Sequence, residues 1–575
     1  MAVDTSDSQD LKRGSLSLPE VLAQSVANMA PSAAMALLPL LVFAGAGNGT
    51  WVSFVIALLA LMCIGYCAAQ FARRMNSAGS FYTWVSKALR PSLGHAAGWG
   101  LILGYIVTGM ATVYGFAIYG SDLLTRLGAP GGNRGILVAL FLLDVLLAAA
   151  VAFFDMGVSA KTALILESLS VTVILILCIN IWVHNGTVFD THQLKLTGVK
   201  PGGILVGTVL AIFAFVGFES AGSLGVESKN SFRNIPRAIL WSCLIVGLFY
   251  VVVSYSQIYG FQNVKGGILG STAPLPDLAT HTGIGGFAYV LDIGIISSMF
   301  ACTLACINAG SLGVESKNSF RNIPRAILWS CLIVGLFYVV VSYSQIYGFQ
   351  NVKGGILAST APLPDLATDT GIGFFAYILD IGIVCSMFAC TLACINAGSR
   401  LIFSMARDGM GPSTVGSVHR ARSTPHIAIA VAAVPMIVVP VVTTIMNQSA
   451  VNASGWVGTV ATFGFMLGYA LVGIGAPIFL RRIGVPATLA WILGLLGAAI
   501  MVFVFWANWL PQTIPGHLFP PLTGAYRWLP YIFLAWTAIG IVNYAMWQRR
   551  NPAKAAEVGN NYHTPEEEAQ PVAAM

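Results

Sequence analysis

Charge is what this sequence has least of. Its 575 residues include 29 Lys and Arg and 22 Asp and Glu, 9% charged in all, where soluble chains carry about 25%. Hydrophobic residues supply 57%, and mean hydropathy is +0.79. That balance excludes an ordinary soluble enzyme, a disordered chain and a secreted disulfide scaffold, and it leaves a polytopic membrane protein. The net charge of +7 is spread too thinly to suggest nucleic acid as a partner.

Chemical motifs are missing as well. There is no GxxxxGKS/T phosphate loop, which argues against an ATP-driven pump, and no HExxH, which argues against a membrane protease. No histidine lies near the middle of an apolar run. The ten cysteines fall almost entirely in apolar runs, as Cys63, Cys67 and Cys178 do. Cys302/Cys306 and Cys390/Cys394 are i,i+4 pairs, which suits packing on a helix face rather than metal binding or a disulfide framework. No metal, no cofactor and no enzymatic activity are expected.

What is present is a series of apolar runs long enough to cross a bilayer, at about 20 residues each. They fall near 21–44, 51–71, 97–124, 135–154, 163–183, 204–225, 238–260, 284–308, 326–348, 372–403, 427–446, 457–480, 487–509 and 528–547. The expectation is an all-α integral membrane fold of fourteen helices, since a helix satisfies its own backbone groups in lipid. With the N-terminus in the cytoplasm, only Arg126, Arg134, Lys195, Lys200, Lys265, Lys353 and Arg527 fall outside; every other Lys and Arg is inside. That asymmetry is a strong positive-inside signal and places both termini in the cytoplasm, with the chain in the inner membrane. Residues 1–17 and 551–575 read as disordered cytoplasmic tails around a transporter domain at 18–550. No apolar stretch before a small-residue cleavage site precedes the first span, which is therefore expected to stay as an anchor.

Residues 221–308 and 309–396 are the same segment twice, 88 residues each. They differ at Gly270/Ala358, His281/Asp369, Gly286/Phe374, Val290/Ile378, Ile296/Val384 and Ser297/Cys385. A tandem duplication is the reading; a cloning or assembly artefact is the alternative, and the six substitutions argue against it. Each unit carries two apolar runs and one basic loop, so adding a unit leaves the orientation of everything downstream unchanged. Removing one unit leaves a twelve-helix chain.

Three stretches carry a family resemblance. The first runs from Ala78 through Gly94 to Gly98-Trp99. The second is Phe213-Ala-Phe-Val-Gly-Phe-Glu219 with Glu227-Ser-Lys-Asn-Ser-Phe-Arg-Asn-Ile-Pro-Arg-Ala238. The third is Ser399-Arg-Leu-Ile-Phe-Ser-Met-Ala-Arg-Asp-Gly409, then Pro412. In this order between apolar spans they resemble the amino acid permeases of the amino acid–polyamine–organocation superfamily. Ser231 stands where that family usually has proline, and the extra unit is not a family feature. The resemblance implies a LeuT-type inverted-repeat fold of twelve core helices, with two more here from the duplicated unit. In that fold helices 1 and 6 are broken at the bilayer midplane and substrate binds at the breaks.

The residues allow such breaks. Helix 1 contains Ala30, Pro31, Ser32, Ala33 and Ala34; Pro31 removes a backbone bond and its small neighbours let a ligand approach. A simple proline kink is the other reading. Helix 6 carries Gly217 and Glu219 in an otherwise apolar span, together with Phe213, Ala214 and Phe215. An acid at membrane depth costs about 2.5–3.5 kcal/mol on insertion scales, so it faces a cavity or a partner. By resemblance Phe213 matches an aromatic that covers substrate and Glu219 a gating acid; core packing and a structural anchor are the alternatives. Asp144, Glu167, Asp292 and Asp380 are further intramembrane acids, candidates for proton relay or for polar links between helices. Glu167 is paired with Glu219 as a coupling residue, because no lysine lies at the depth where proton-coupled relatives carry one in helix 5. The function expected is secondary transport of amino acids or related amines by alternating access. It would run as symport or exchange, with the proton as coupling ion and sodium as the other candidate. A non-transporting sensor and a duplication-inactivated transporter are the rivals.

Overall fold

The computed structural model describes residues 25–26, 29, 31–75, 79–126, 133–153, 189, 191–219, 244, 246, 248–250, 252–253, 256, 259, 384, 387, 390–391, 394–395, 397–399, 401–417, 419, 425–513 and 524–558. Among the described residues the regular elements are helical. They are α1 (Pro31–Ala46), α2 (Thr50–Ala72), α3 (Phe81–Ala88), α4 (Pro91–Arg126), α5 (Arg134–Phe153), α6 (Thr191–Leu194) and α7 (Pro201–Ala214), then α8 (His426–Ile445), α9 (Ala450–Arg482), α10 (Thr488–Trp509), α11 (Leu529–Arg550) and α12 (Pro552–Glu557). Six described helical stretches are long and apolar enough to cross a membrane: Leu41–Ala72, Pro91–Ser121, His426–Ile445, Ala450–Arg482, Thr488–Trp509 and Gly524–Arg550.

Apolar length alone placed α2, α5, α8, α10 and α11 within three residues at either end. α9 begins seven residues before the expected 457, because Asn452 and Ser454 are helical despite their polarity. The run expected at 204–225 differs most: its helix stops at Ala214. The spans at 163–183, 284–308 and 326–348 lie outside the described residues, as do residues 1–17, 559–575, Asp292 and Asp380. Within the stretch expected to be a C-terminal disordered tail, Pro552–Glu557 form a short helix, with Ala555 and Val558 buried.

α9 runs through the middle and packs on α4, α10, α2, α3, α7 and α11. Close approach there depends on glycine pairs, as expected where lipid gives helices no hydrophobic reason to associate. A Cβ on Gly464 would lie 2.5 Å from the Gly100 carbonyl of α4, and one on Gly473 would lie 2.7 Å from the Gly494 carbonyl of α10. α7 meets α1 in the same way, through Gly203 and Gly45. On the outside, Val431, Val434 and Val438 of α8, Ile492 and Leu496 of α10, and Ile532 and Ile539 of α11 are exposed. These are faces suited to lipid.

Among the described residues, basic side chains meet where α3, α9, α11 and α12 end: Arg482 reaches the Lys87 carbonyl, and Lys554 lies beside Gly409. The basic end is tied together by polar contacts. Tyr82 Oη donates to Asp408 Oδ2 (2.5 Å), Trp547 Nε1 to the Gly409 carbonyl (2.5 Å) and Arg482 Nη1 to the Lys87 carbonyl (3.4 Å). Burial, with the Asp408 carboxylate beside it, pushes the Tyr82 phenol well above its ordinary pKa, so it remains a donor.

Among the described residues, both copies of the repeat contribute to the core. From the first copy, Val246, Phe249, Tyr250 and Val253 are buried, and Tyr250 packs on Phe54 (6.4 Å between ring centroids) and edge-on to Phe215 (5.2 Å). From the second copy, Met387, Cys390, Thr391, Cys394 and Ile395 are buried, and Met387 occupies the space beside Gly115 of α4.

Candidate functional site

The site begins where α7 ends. Pro201 stands in its first turn, where a missing N–H is no loss. The helix then runs through apolar and small residues to Ala214. Beyond it the N–H groups of Phe215, Val216 and Phe218 bond the carbonyls of Ile212 (3.0 Å), Phe213 (3.1 Å) and Phe215 (3.3 Å). These tighter i→i+3 bonds end the helix. Gly217 then takes φ of 100°, a left-handed conformation that a residue without Cβ adopts readily.

This turn aims Glu219 back into the bundle, where it is 2% exposed. Tyr105 Oη of α4 donates to its Oε1 at 2.7 Å. Tyr469 Oη of α9 donates to its Oε2 at 2.8 Å, and the Gly217 N–H reaches the same oxygen at 3.2 Å. An ionised carboxylate only accepts, and three converging donors are the set it needs once removed from water. The surrounding rings hold the two tyrosines: Tyr105 sits edge-on to Phe465 (5.0 Å, 90°), and Phe218 packs against Tyr469 (5.2 Å). Ser25 Oγ donates to the Phe218 carbonyl at 3.0 Å, tying the segment before α1 to the turn after α7.

Phe213 lies in the last turn of α7, half-buried, with its ring over Gly458 of α9; a Cβ there would come within 3.2 Å of Cε1. Ala214, Phe215 and Gly217 are buried. Pro31 is the buried first residue of α1, Ser32 and Ala33 follow in its first turn, and Ala34 is half-buried. Ala30 and Glu167 lie outside the described residues. Tyr105, Tyr469 and Ser25 were not singled out from the sequence. Tyrosines inside long apolar helices are a signal that a buried acceptor is near, but they do not say which one.

Long apolar helices and exposed apolar faces define a multi-pass integral membrane protein. Amino acid permease family models match the chain over residues 16–307 and 307–557. The first covers half the chain, and the protein belongs to the amino acid permease family. The boundary between the two matches falls beside the joint of the repeat.

Similar proteins carry related descriptions. The branched-chain amino acid permease BcaP of Bacillus subtilis is 23% identical over 399 residues, covering 67% of this chain and 65% of that protein. BcaP of Lactococcus lactis subsp. cremoris is 25% identical over 332 residues, covering 52% and 71%. The low-affinity putrescine importer PlaP of Escherichia coli is 24% identical over 216 residues, covering 37% and 47%. The match thus spans just under two thirds of the B. subtilis protein.

Proposed function

We propose that the chain is a secondary active transporter that moves amino acids or related amines across the cytoplasmic membrane by alternating access. The observation that carries this reading is the end of α7 at Ala214, followed by i→i+3 bonds and the left-handed Gly217. In this reading the turn lies within the membrane. Irregular backbone at that depth is tolerated where protein or a cavity receives it, and transporters use such breaks to hold the charged ends of substrate. Substrate would lie between Ala30–Ala34 and Phe213–Gly217. Descriptions that range from branched-chain amino acids to putrescine among similar proteins support the broad class, an amino acid or amine.

Glu219 acts as the gate in this reading. Its bonds to Tyr105 and Tyr469 fasten the segment after α7 to α4 and α9, and releasing them would free the segment to move. Protons are the proposed coupling ion, with Glu219 and Glu167 as the groups involved and sodium as the other candidate. The arrangement is the LeuT-type inverted repeat, with the basic end of the bundle and both termini in the cytoplasm. Twelve helices form its core. The surplus pair is the inner one of the repeat, 284–308 with 326–348. This choice keeps α7 joined to the helix that carries Tyr250, and joins the helix that carries Thr391 to its own continuation at 401–410.

Purified protein in liposomes tests the proposal. Labelled leucine and putrescine should enter, faster with an inward proton gradient. No uptake of any amino acid or amine, with or without proton and sodium gradients, would refute it.

A further inference from the structure

A second acid is buried in the bundle, away from the Glu219 site. Asp144 of α5 is 0% exposed. Thr391 Oγ1 stands 2.7 Å from its Oδ2, in position to donate if the acid is ionised, while Oδ1 is buried with no hydrogen-bond partner. The Thr391 hydroxyl also lies 2.8 Å from Thr112 Oγ1 of α4 and 3.0 Å from the Met387 carbonyl. Thr112 in turn lies 2.9 Å from the Gly109 carbonyl.

Counting hydrogens separates the two charge states. An ionised Asp144 would have one hydroxyl donor for two carboxylate oxygens, and one oxygen would stay bare in an apolar interior. That is the costliest way to bury a charge. A protonated Asp144 reverses the row. Its O–H donates to Thr391 Oγ1, Thr391 donates to Thr112 Oγ1, and Thr112 donates to the Gly109 carbonyl. Every hydrogen then has an acceptor, and the bare Oδ1 is a neutral carbonyl oxygen.

The neighbouring elements supply no charge to alter that count among the described residues. The helix carrying Thr391 presents the buried thiol of Cys390. α4 presents Tyr114, whose ring packs edge-on to Phe141 (5.7 Å) and whose Oη pairs with Thr443 of α8. The one ionisable residue of α8 is His426, at its first position. Glu219 differs in its partners: three donors meet that acid and one hydroxyl meets this one.

We propose that Asp144 is a proton-binding site within the membrane, a carboxylic acid that keeps its proton at neutral pH and donates it into the Thr391–Thr112 row. The site does not depend on transport, so its test stands apart from the function proposed above. The experiment uses full-length protein labelled with carbon-13 aspartate, as wild type, D144N, D144A and T391V. At neutral pH the infrared spectrum of wild type should contain a protonated-carboxyl band that D144N removes. T391V should keep that band but shift it to higher frequency, because the acid loses its acceptor. The melting temperature of D144N should stay within about 2 °C of wild type, since an amide can donate where the acid did; D144A should fall by several degrees. Three results would each overturn the proposal: no protonated-carboxyl band in either wild type or T391V, a loss in D144N as large as in D144A, or a sodium-dependent rise in melting temperature that D144N abolishes. The last would mean that a metal cation, not a proton, occupies the site. If D144N fails to fold, the band and its shift in T391V decide.

Discussion

The Gly217 N–H donates to the carboxylate of Glu219, two residues further along, at 3.2 Å. The same carboxylate reaches Tyr105 on α4 and Tyr469 on α9. One side chain therefore caps the turn after α7 and fastens it to two neighbouring helices. Loosening either contact should disturb both functions at once.

Gly217→Ala should be costly. A Cβ at φ of 100° is strained by roughly 1–3 kcal/mol, and the relief would turn the N–H away from Glu219. Thermal melts of the two proteins should show a clear drop for the variant, with uptake lost more completely than fold. Equal melting temperatures and equal uptake would mean that the left-handed turn is not required.

Glu219→Gln and Glu219→Ala should differ. A glutamine can point its carbonyl at Tyr469 and the Gly217 N–H and its amide at Tyr105, whose hydroxyl can turn to accept. The variant should fold with a loss of about 1–3 kcal/mol but respond differently to pH in uptake. Alanine leaves three donors without an acceptor and should be worse in both assays. Normal uptake by the glutamine variant across pH values, with reduced membrane expression as its sole defect, would make the acid a structural anchor.

How much of this was legible beforehand follows from the range of each signal. Apolar length marked α2, α8 and α10 to within a residue or two, because the bilayer requirement is local and one-dimensional. Gly217 and Glu219 stood out as a flexible residue and an acid in an apolar run. The partners did not stand out: Tyr105 and Tyr469 lie 114 and 250 residues from Glu219 in the chain, and one tyrosine in a helix resembles any other until packing is known. Asp144 is legible as an acid within an apolar run, but its row of threonines comes from two other helices. The repeat obscured the rest, since identical residues at Tyr250 and Tyr338 offer the core the same side chain twice.

The first turn of α1 should tolerate no bulk. Ser32→Leu and Ala33→Leu place large side chains in the segment proposed to face substrate, a few residues after the Ser25 tie to Phe218. Uptake should be abolished while protein still reaches the membrane. Unchanged uptake in both variants would remove this segment from the binding site.

Deleting residues 261–348 should leave a working protein. The excision joins Gly260 to Phe349 in the same sequence context that Gly348 supplies, and it keeps both Tyr250 and Thr391, which are buried. The shortened chain should melt at or above the temperature of the full chain. A shortened chain that neither folds nor transports would show that the second set of residues is needed. Cysteine crosslinks offer a separate check: α4 should link to 384–397 and not to 284–308.

Counterflow through purified protein in liposomes tests the central claim most directly. Vesicles loaded with an unlabelled amino acid or putrescine should draw in the labelled form when wild-type protein is present, and Glu219→Ala should abolish that exchange. Thermal-shift binding of the same compounds without any counterflow would contradict transport and make the protein a sensor built on a permease fold.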